Sequence, residues 1–224
     1  MVFDNFSKQL LHYLQRKLKI TPDLTDVDLY CRSRYTETEN KAYLNKRKVF
    51  GKYITVYLNE LITPNSYEIL RVKKDLKLEN EDIYDRARLI GNKIAISLKW
   101  TSDKDMQDSN DFYLFPNETL KLKKADCEDH SFCTASFDRN ISVAYGFYNK
   151  KGYRGYDRGT GHAFNTFIWN NSLYILETTG NVAKIHKYEP KKLTEQYHIC
   201  FIVTPTKTYA LDSKVEFGHL AGWY

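Results

Sequence analysis

Lys124-Ala125-Asp126-Cys127-Glu128-Asp129-His130 puts a cysteine where a helix is expected to begin. Asp126 is a favoured N-cap type, because its carboxylate accepts from the first backbone N–H groups of a helix, which have no partner inside it. Cys127 then falls in the first turn, where the positive end of the helix dipole favours an anion and lowers a thiol's pKa. Gly161-His162-Ala163-Phe164 follows 35 residues later (162 − 127), and Leu176-Glu177-Thr178 another 15 later (177 − 162). Thiol, imidazole and carboxylate are the parts of a cysteine-nucleophile triad. The thiolate attacks, the histidine takes its proton, and the carboxylate fixes the histidine's tautomer and stabilises the imidazolium. The partners matter because a lone thiol, with a pKa of ~8.5, is mostly protonated at neutral pH.

Around this core the chain reads as helices first and strands last, an α+β order. Phe3, Phe6, Leu10, Leu14 and Leu18 recur at three- and four-residue steps, which predicts a helix ended before Pro22. Residues 49–61 are rich in β-branched and aromatic side chains and predict a strand, as does 68–78 after the turn Thr63-Pro64-Asn65-Ser66. Ile83, Ala87, Ile90, Ile94 and Leu98 return to helical spacing over 82–100. The polar, acidic stretch 101–110 reads as a loop, Pro116 starts a short helix, and the nucleophile helix covers 125–138. A Gly/Tyr/basic loop over 149–161 precedes His162, and the aromatic and cationic side chains there could form a lip over a substrate. The stretch 163–169, the turn Asn170-Asn171 and 173–176 read as a hairpin, with a further strand over 198–204. His162 and Glu177 lie about equally far on either side of that turn, so a cross-strand His–Glu pair is expected.

Bulk properties bound the function. With 224 residues, 42% hydrophobic and 15% aromatic, the chain can bury a core, and its 18 tyrosines are unusually many. Net charge is +6, with basic clusters at Lys46-Arg47-Lys48, over 71–77 and over 121–124. These read as solvated faces, because no nucleic-acid-binding motif accompanies them. No signal peptide or membrane span is legible, which suggests a cytoplasmic or virion-associated protein. Cys31, Cys127, Cys133 and Cys200 lack metal-ligand spacing, and Cys127 and Cys133 point to different sides of one helix, so reduced thiols are expected.

The motifs resemble the transglutaminase-like superfamily, and within it the bacterial transglutaminase-like cysteine proteinases. The resemblance rests on Phe115-Pro116-Asn117-Glu118-Thr119-Leu120, Ala125-Asp126-Cys127-Glu128-Asp129, His162-Ala163-Phe164 and Tyr174-Ile175-Leu176-Glu177-Thr178-Thr179, within about 82–204. Two departures stand out. Ala125 replaces a glycine, and Glu177 replaces the commoner Asp, one methylene longer. The resemblance implies a papain/transglutaminase-like fold with the nucleophile helix packed on an antiparallel sheet. A catalytic domain at 81–224 would then follow an N-terminal α/β extension, 1–80, of unassigned role. The implied catalytic residues are Cys127, His162 and Glu177.

Acidic neighbours should raise the pKa of a thiolate. The resemblance implies one compensation, since a calcium-dependent branch of the family binds Ca²⁺ beside its cysteine; here Asp126 and Glu128 could do so. No cofactor is otherwise required. A second oxyanion donor, beside the Cys127 N–H, has Trp100, Gln107 and Tyr113 as candidates by position.

The resulting expectation is a cysteine hydrolase or acyl-transferase acting on peptide or amide bonds, a peptidase rather than a cross-linker. Its substrate would be a protein or peptide, envelope peptides included. A second reading is a virion component, such as a phage tail or neck protein, built on the same scaffold and partnered by other virion proteins. Richness in Lys, Asn, Tyr and Ile fits that reading, and an intact triad favours the first.

Overall fold

The computed structural model describes residues 24–38, 41–49, 52–107, 113–150, 152, 159–192 and 194–211. The helix expected over 3–18 and most of the loop over 149–161 lie outside them. The elements are α1 (Asp26–Arg32), β1 (Thr36–Thr38), β2 (Lys41–Val49), β3 (Lys52–Tyr57), a 3₁₀ turn (Leu58–Leu61), α2 (Tyr67–Leu76), α3 (Ile83–Ser97), β4 (Lys99–Trp100), α4 (Asp103–Gln107), α5 (Pro116–Leu122), β5 (Lys124–Ala125), α6 (Cys127–Ala135), β6 (Ser142–Tyr148), β7 (Thr160–Trp169), β8 (Ser172–Glu177), β9 (Lys184–Lys187), β10 (Tyr197–Val203) and β11 (Thr208–Ala210).

A seven-stranded sheet in the order β1-β11-β10-β6-β7-β8-β9 forms the centre, and its pairings are antiparallel. Successive strand side chains point to opposite faces, so each strand feeds two cores. Ala163 and Phe167 of β7 join α3 (Ala87, Ile90, Ile94) and α6 (Phe132, Cys133) on one face. Phe164 of β7 joins α1 (Val27, Cys31), Ile175, Tyr197 and Tyr209 on the other. The result is three layers, helix on sheet on helix.

The segment before residue 80 contributes to both cores. Thr25 and Asp28 make a reciprocal capping box at α1. Buried Asp28 also accepts from Thr204 Oγ1 (2.7 Å), Thr206 Oγ1 (2.8 Å) and the Tyr209 phenol (3.1 Å), binding α1 to the strands at the other end of the chain. β1 is an edge strand of the main sheet, paired with β11. Leu58, Leu61 and Ile69 belong to the same core as Phe132 and Cys133 of α6.

Some expected elements are corrected. Residues 68–78 form helix α2 rather than a strand: Ile69, Val72 and Leu76 recur at three- and four-residue steps and give it one apolar side. The strand expected over 49–61 splits, with β3 ending at Tyr57 and a 3₁₀ turn following. The acidic stretch after residue 100 holds the short helix α4 rather than being loop throughout. The 82–100 helix is α3, capped by Asp82, whose side chain accepts from the Asp85 N–H. Asn170 and Asn171 take positive φ (47° and 55°), the backbone a two-residue hairpin turn requires, and join β7 to β8.

Candidate active site

α6 begins as the sequence predicts. Asp126 is its N-cap and accepts from the Asp129 N–H (3.3 Å). Every residue of α6 is buried, polar ones included, so its polar side chains turn inward for partners. Ser131 Oγ bonds the Cys127 carbonyl (2.7 Å) and Thr134 Oγ1 the His130 carbonyl (2.8 Å). Asn165 Nδ2 of β7 donates to the Ser131 carbonyl (2.9 Å), which pins the helix to the sheet. Asp129 reaches sideways and accepts from the Leu114 N–H (2.8 Å), holding the approach to α5. These bonds fix the start of α6, and with it Cys127, which is 2% exposed.

The Cys127 thiol donates to Glu128 Oε2 (3.0 Å). Glu128 belongs to a buried acidic group: Asp103, Asp126 and Glu128 bring one carboxylate oxygen each within 4.8 Å of one another. Burial first, then the charges of Glu128, Asp129 and Asp103, push the Asp126 carboxyl well above the usual carboxylate range. Asp103 escapes a reading of local sequence, because the parallel pairing of β4 with β5 just before it brings it beside residues far along the chain.

His162 and Glu177 come together. His162 Nε2 lies 2.6 Å from Glu177 Oε2. The contact is diagonal rather than directly cross-strand. Asn165 pairs with Leu176, so the register continued by one residue puts Glu177 opposite Phe164, two along from His162. A diagonal neighbour is farther than a direct one, and the extra methylene of glutamate suits that reach. Glu177 Oε1 accepts from the Thr179 N–H (2.8 Å) and Thr179 Oγ1 (2.6 Å). Burial alone would raise this carboxyl, but the bond and charge of His162 and the two Thr179 bonds outweigh it and hold the pKa down at about 2.

Strand alternation sets His162 on the Phe164 side of β7, where it packs near Phe164 (5.9 Å between ring centroids) and Tyr197 (6.4 Å). The body of α6 lies against the alternate residues Ala163, Asn165 and Phe167. His162 thus lies on the opposite face of β7 from the residues that pack against the body of α6. His130 of α6 is fully buried behind them, and burial lowers its pKa to about 4, so the ring is neutral.

Among the oxyanion candidates, Trp100 is on β4, paired with Ala125 two residues before Cys127. Tyr113 is a core ring against Phe132 (6.1 Å), and Gln107 ends α4. The four cysteines are buried thiols. No helix among the described residues is long and apolar enough to cross a membrane.

The sequence matches the family model described as the transglutaminase-like domain over residues 13–204. The chain belongs to the transglutaminase-like domain family. The match takes in α1 and β1 and so begins well ahead of residue 82, where the motif resemblance starts. Among solved structures, this transglutaminase-like chain is similar to calcium-bound LapG of Legionella pneumophila: 13% identity and a TM-score of 0.48, covering 71% of this chain and 87% of LapG. EGTA-treated LapG gives 12% and 0.47, covering 74% and 91%. A protein of Cytophaga hutchinsonii provisionally described as a cysteine protease gives 14% and 0.40, covering 75% and 59%. No curated protein matches the chain.

Proposed function

We propose that this protein is a cysteine peptidase that cleaves peptide or amide bonds through Cys127, His162 and Glu177. The observation that carries this reading is the 2.6 Å contact between His162 Nε2 and Glu177 Oε2. It occupies one ring nitrogen and leaves Nδ1 to take the thiol proton. Cys127 stands in the first turn of α6, where the helix dipole supports a thiolate.

The thiolate attacks the carbonyl carbon, and the oxyanion forms beside the Cys127 backbone N–H. As the tetrahedral adduct collapses, the C–N bond breaks and His162 hands its proton to the leaving amine. Water, deprotonated by His162, then attacks the thioester; the acid leaves and the thiol is restored. A second amine in place of water would give cross-linking, so the same intermediate serves both outcomes, and hydrolysis is the one proposed.

Asp103, Asp126 and Glu128 fit a hard divalent cation such as Ca²⁺, which takes oxygen ligands. Their crowding, expressed in the raised Asp126 carboxyl, is what a cation would neutralise. When bound, the ion would supply positive charge beside the thiol.

The test is incubation with a proteome-derived peptide library, read by mass spectrometry, for the wild type and Cys127→Ala. New peptide termini that depend on Cys127 are expected. Amine-linked products in their place would turn the proposal to transfer, and no Cys127-dependent product would contradict it.

A further inference from the structure

We infer that Tyr197 is a fourth member of this site, a positioning residue whose phenol sets the plane of the Glu177 carboxylate toward His162. The inference rests on the catalytic reading given above. Tyr197 opens β10, is 6% exposed, and donates its hydroxyl to Glu177 Oε2 (3.2 Å). That is the oxygen His162 Nε2 contacts at 2.6 Å. The other oxygen, Oε1, is held by Thr179 N and Oγ1. One fixed oxygen leaves a carboxylate free to turn about that anchor. A donor on the second oxygen removes the freedom and aims the lone pair that His162 shares.

The phenol can do this because its own position does not depend on Glu177. Its ring is wedged among Phe164 (4.8 Å between centroids), Tyr148 (5.0 Å) and His186 (5.3 Å). Its backbone N–H donates to Glu195 Oε1 (3.2 Å), a buried carboxylate that also takes the Gln196 N–H (3.0 Å) and His186 Nε2 (3.3 Å). A buried aromatic has two side-chain torsions to fix, so this packing leaves the hydroxyl one place to point. Burial and then the charge of Glu177 push the phenol's pKa up, so it remains a donor. The titratable groups facing Glu177 are His162 from β7, Tyr197 from β10 and neutral His130 from α6.

The test needs no substrate. Iodoacetamide is the probe, and its second-order rate with Cys127 is followed across pH, site-resolved by mass spectrometry. The proteins are the wild type, Tyr197→Phe, Glu177→Gln and the double variant. Tyr197→Phe keeps the ring and is expected to slow alkylation at neutral pH about three- to tenfold, the range of one ordinary hydrogen bond. In the Glu177→Gln background the same change should add nothing, because Tyr197 acts through Glu177. Near-ultraviolet circular dichroism checks the fold of each variant.

An activated wild-type thiol with a superimposable Tyr197→Phe profile would overturn this inference alone. So would equal slowing in both backgrounds. An unactivated wild-type thiol would overturn the catalytic reading and this inference with it.

Discussion

Two acidic neighbourhoods flank the proposed chemistry, and the chain treats them in opposite ways. At Glu177 one carboxylate collects a histidine, a phenol and two donors from Thr179, and its pKa is held at about 2. At the start of α6, Asp126 is crowded by Glu128, Asp129 and Asp103, and its carboxyl is driven up. Both are buried, Glu177 to 9% exposure and Asp126 to 5%, so burial does not separate them; the partners do. A carboxylate given donors is a finished anion, ready to orient a histidine. Carboxylates given one another repel, and in the function proposed above a cation would relieve them.

The largest effect expected from this contrast is on turnover. Glu177→Gln keeps the shape but removes the charge that supports the imidazolium, and should lower turnover of a Cys127-dependent peptide about 10²- to 10⁴-fold. A loss under tenfold would break the His162 side of the comparison.

Acid sensitivity comes next. The Glu177 pKa falls from an ordinary 4.5 to about 2 in the fold, so its contribution is fully present above about pH 4.5 and is lost as pH falls from there toward 2. The amount is on the order of 3 kcal/mol. Urea unfolding between pH 2 and 5 should show a shallower loss for Glu177→Gln than for the wild type.

The other side is tested with the metal. Calcium at about 100 times its dissociation constant would add about 2.7 kcal/mol, a rise of roughly 5–10 °C in melting temperature for a chain of this size. The rise should vanish in Asp103→Asn with Glu128→Gln. A melting curve indifferent to calcium and EDTA would remove the cation from the account.

The smallest effect reverses sign between the two sites. A folded pKa raised above its unfolded value means the ionised form opposes folding at neutral pH. Asp126→Asn, which still caps the helix, should therefore raise metal-free stability, where Glu177→Gln lowers it. Denaturant titration in EDTA at pH 7 compares the two.

Much of this was legible in the sequence because it is local. Asp126 before Cys127 announces a helix start, the Ile83-to-Ile94 spacing announces α3, and Asn170-Asn171 announces the turn that brings His162 and Glu177 near. What could not be read is set by distance along the chain. Asp103 meets Asp126 through the pairing of β4 with β5, and Tyr197 meets Glu177 through the placement of β10 in the sheet. Neither leaves a local mark. Helix α2 reads as a strand in the sequence because its apolar residues suit either period over a short run. The His162–Glu177 register differs by two from a direct cross-strand pair because the tight turn closes at Trp169 and Ser172, which shifts every pair above it.

The central claim is that Cys127, at the start of α6, and His162, on β7, act together. The most direct measurement is the pH dependence of Cys127 alkylation by iodoacetamide in the wild type and in His162→Ala. The account predicts reaction well below pH ~8.5 that is lost in the variant. A Cys127 that reacts as an ordinary thiol, or not at all, in both proteins would contradict it.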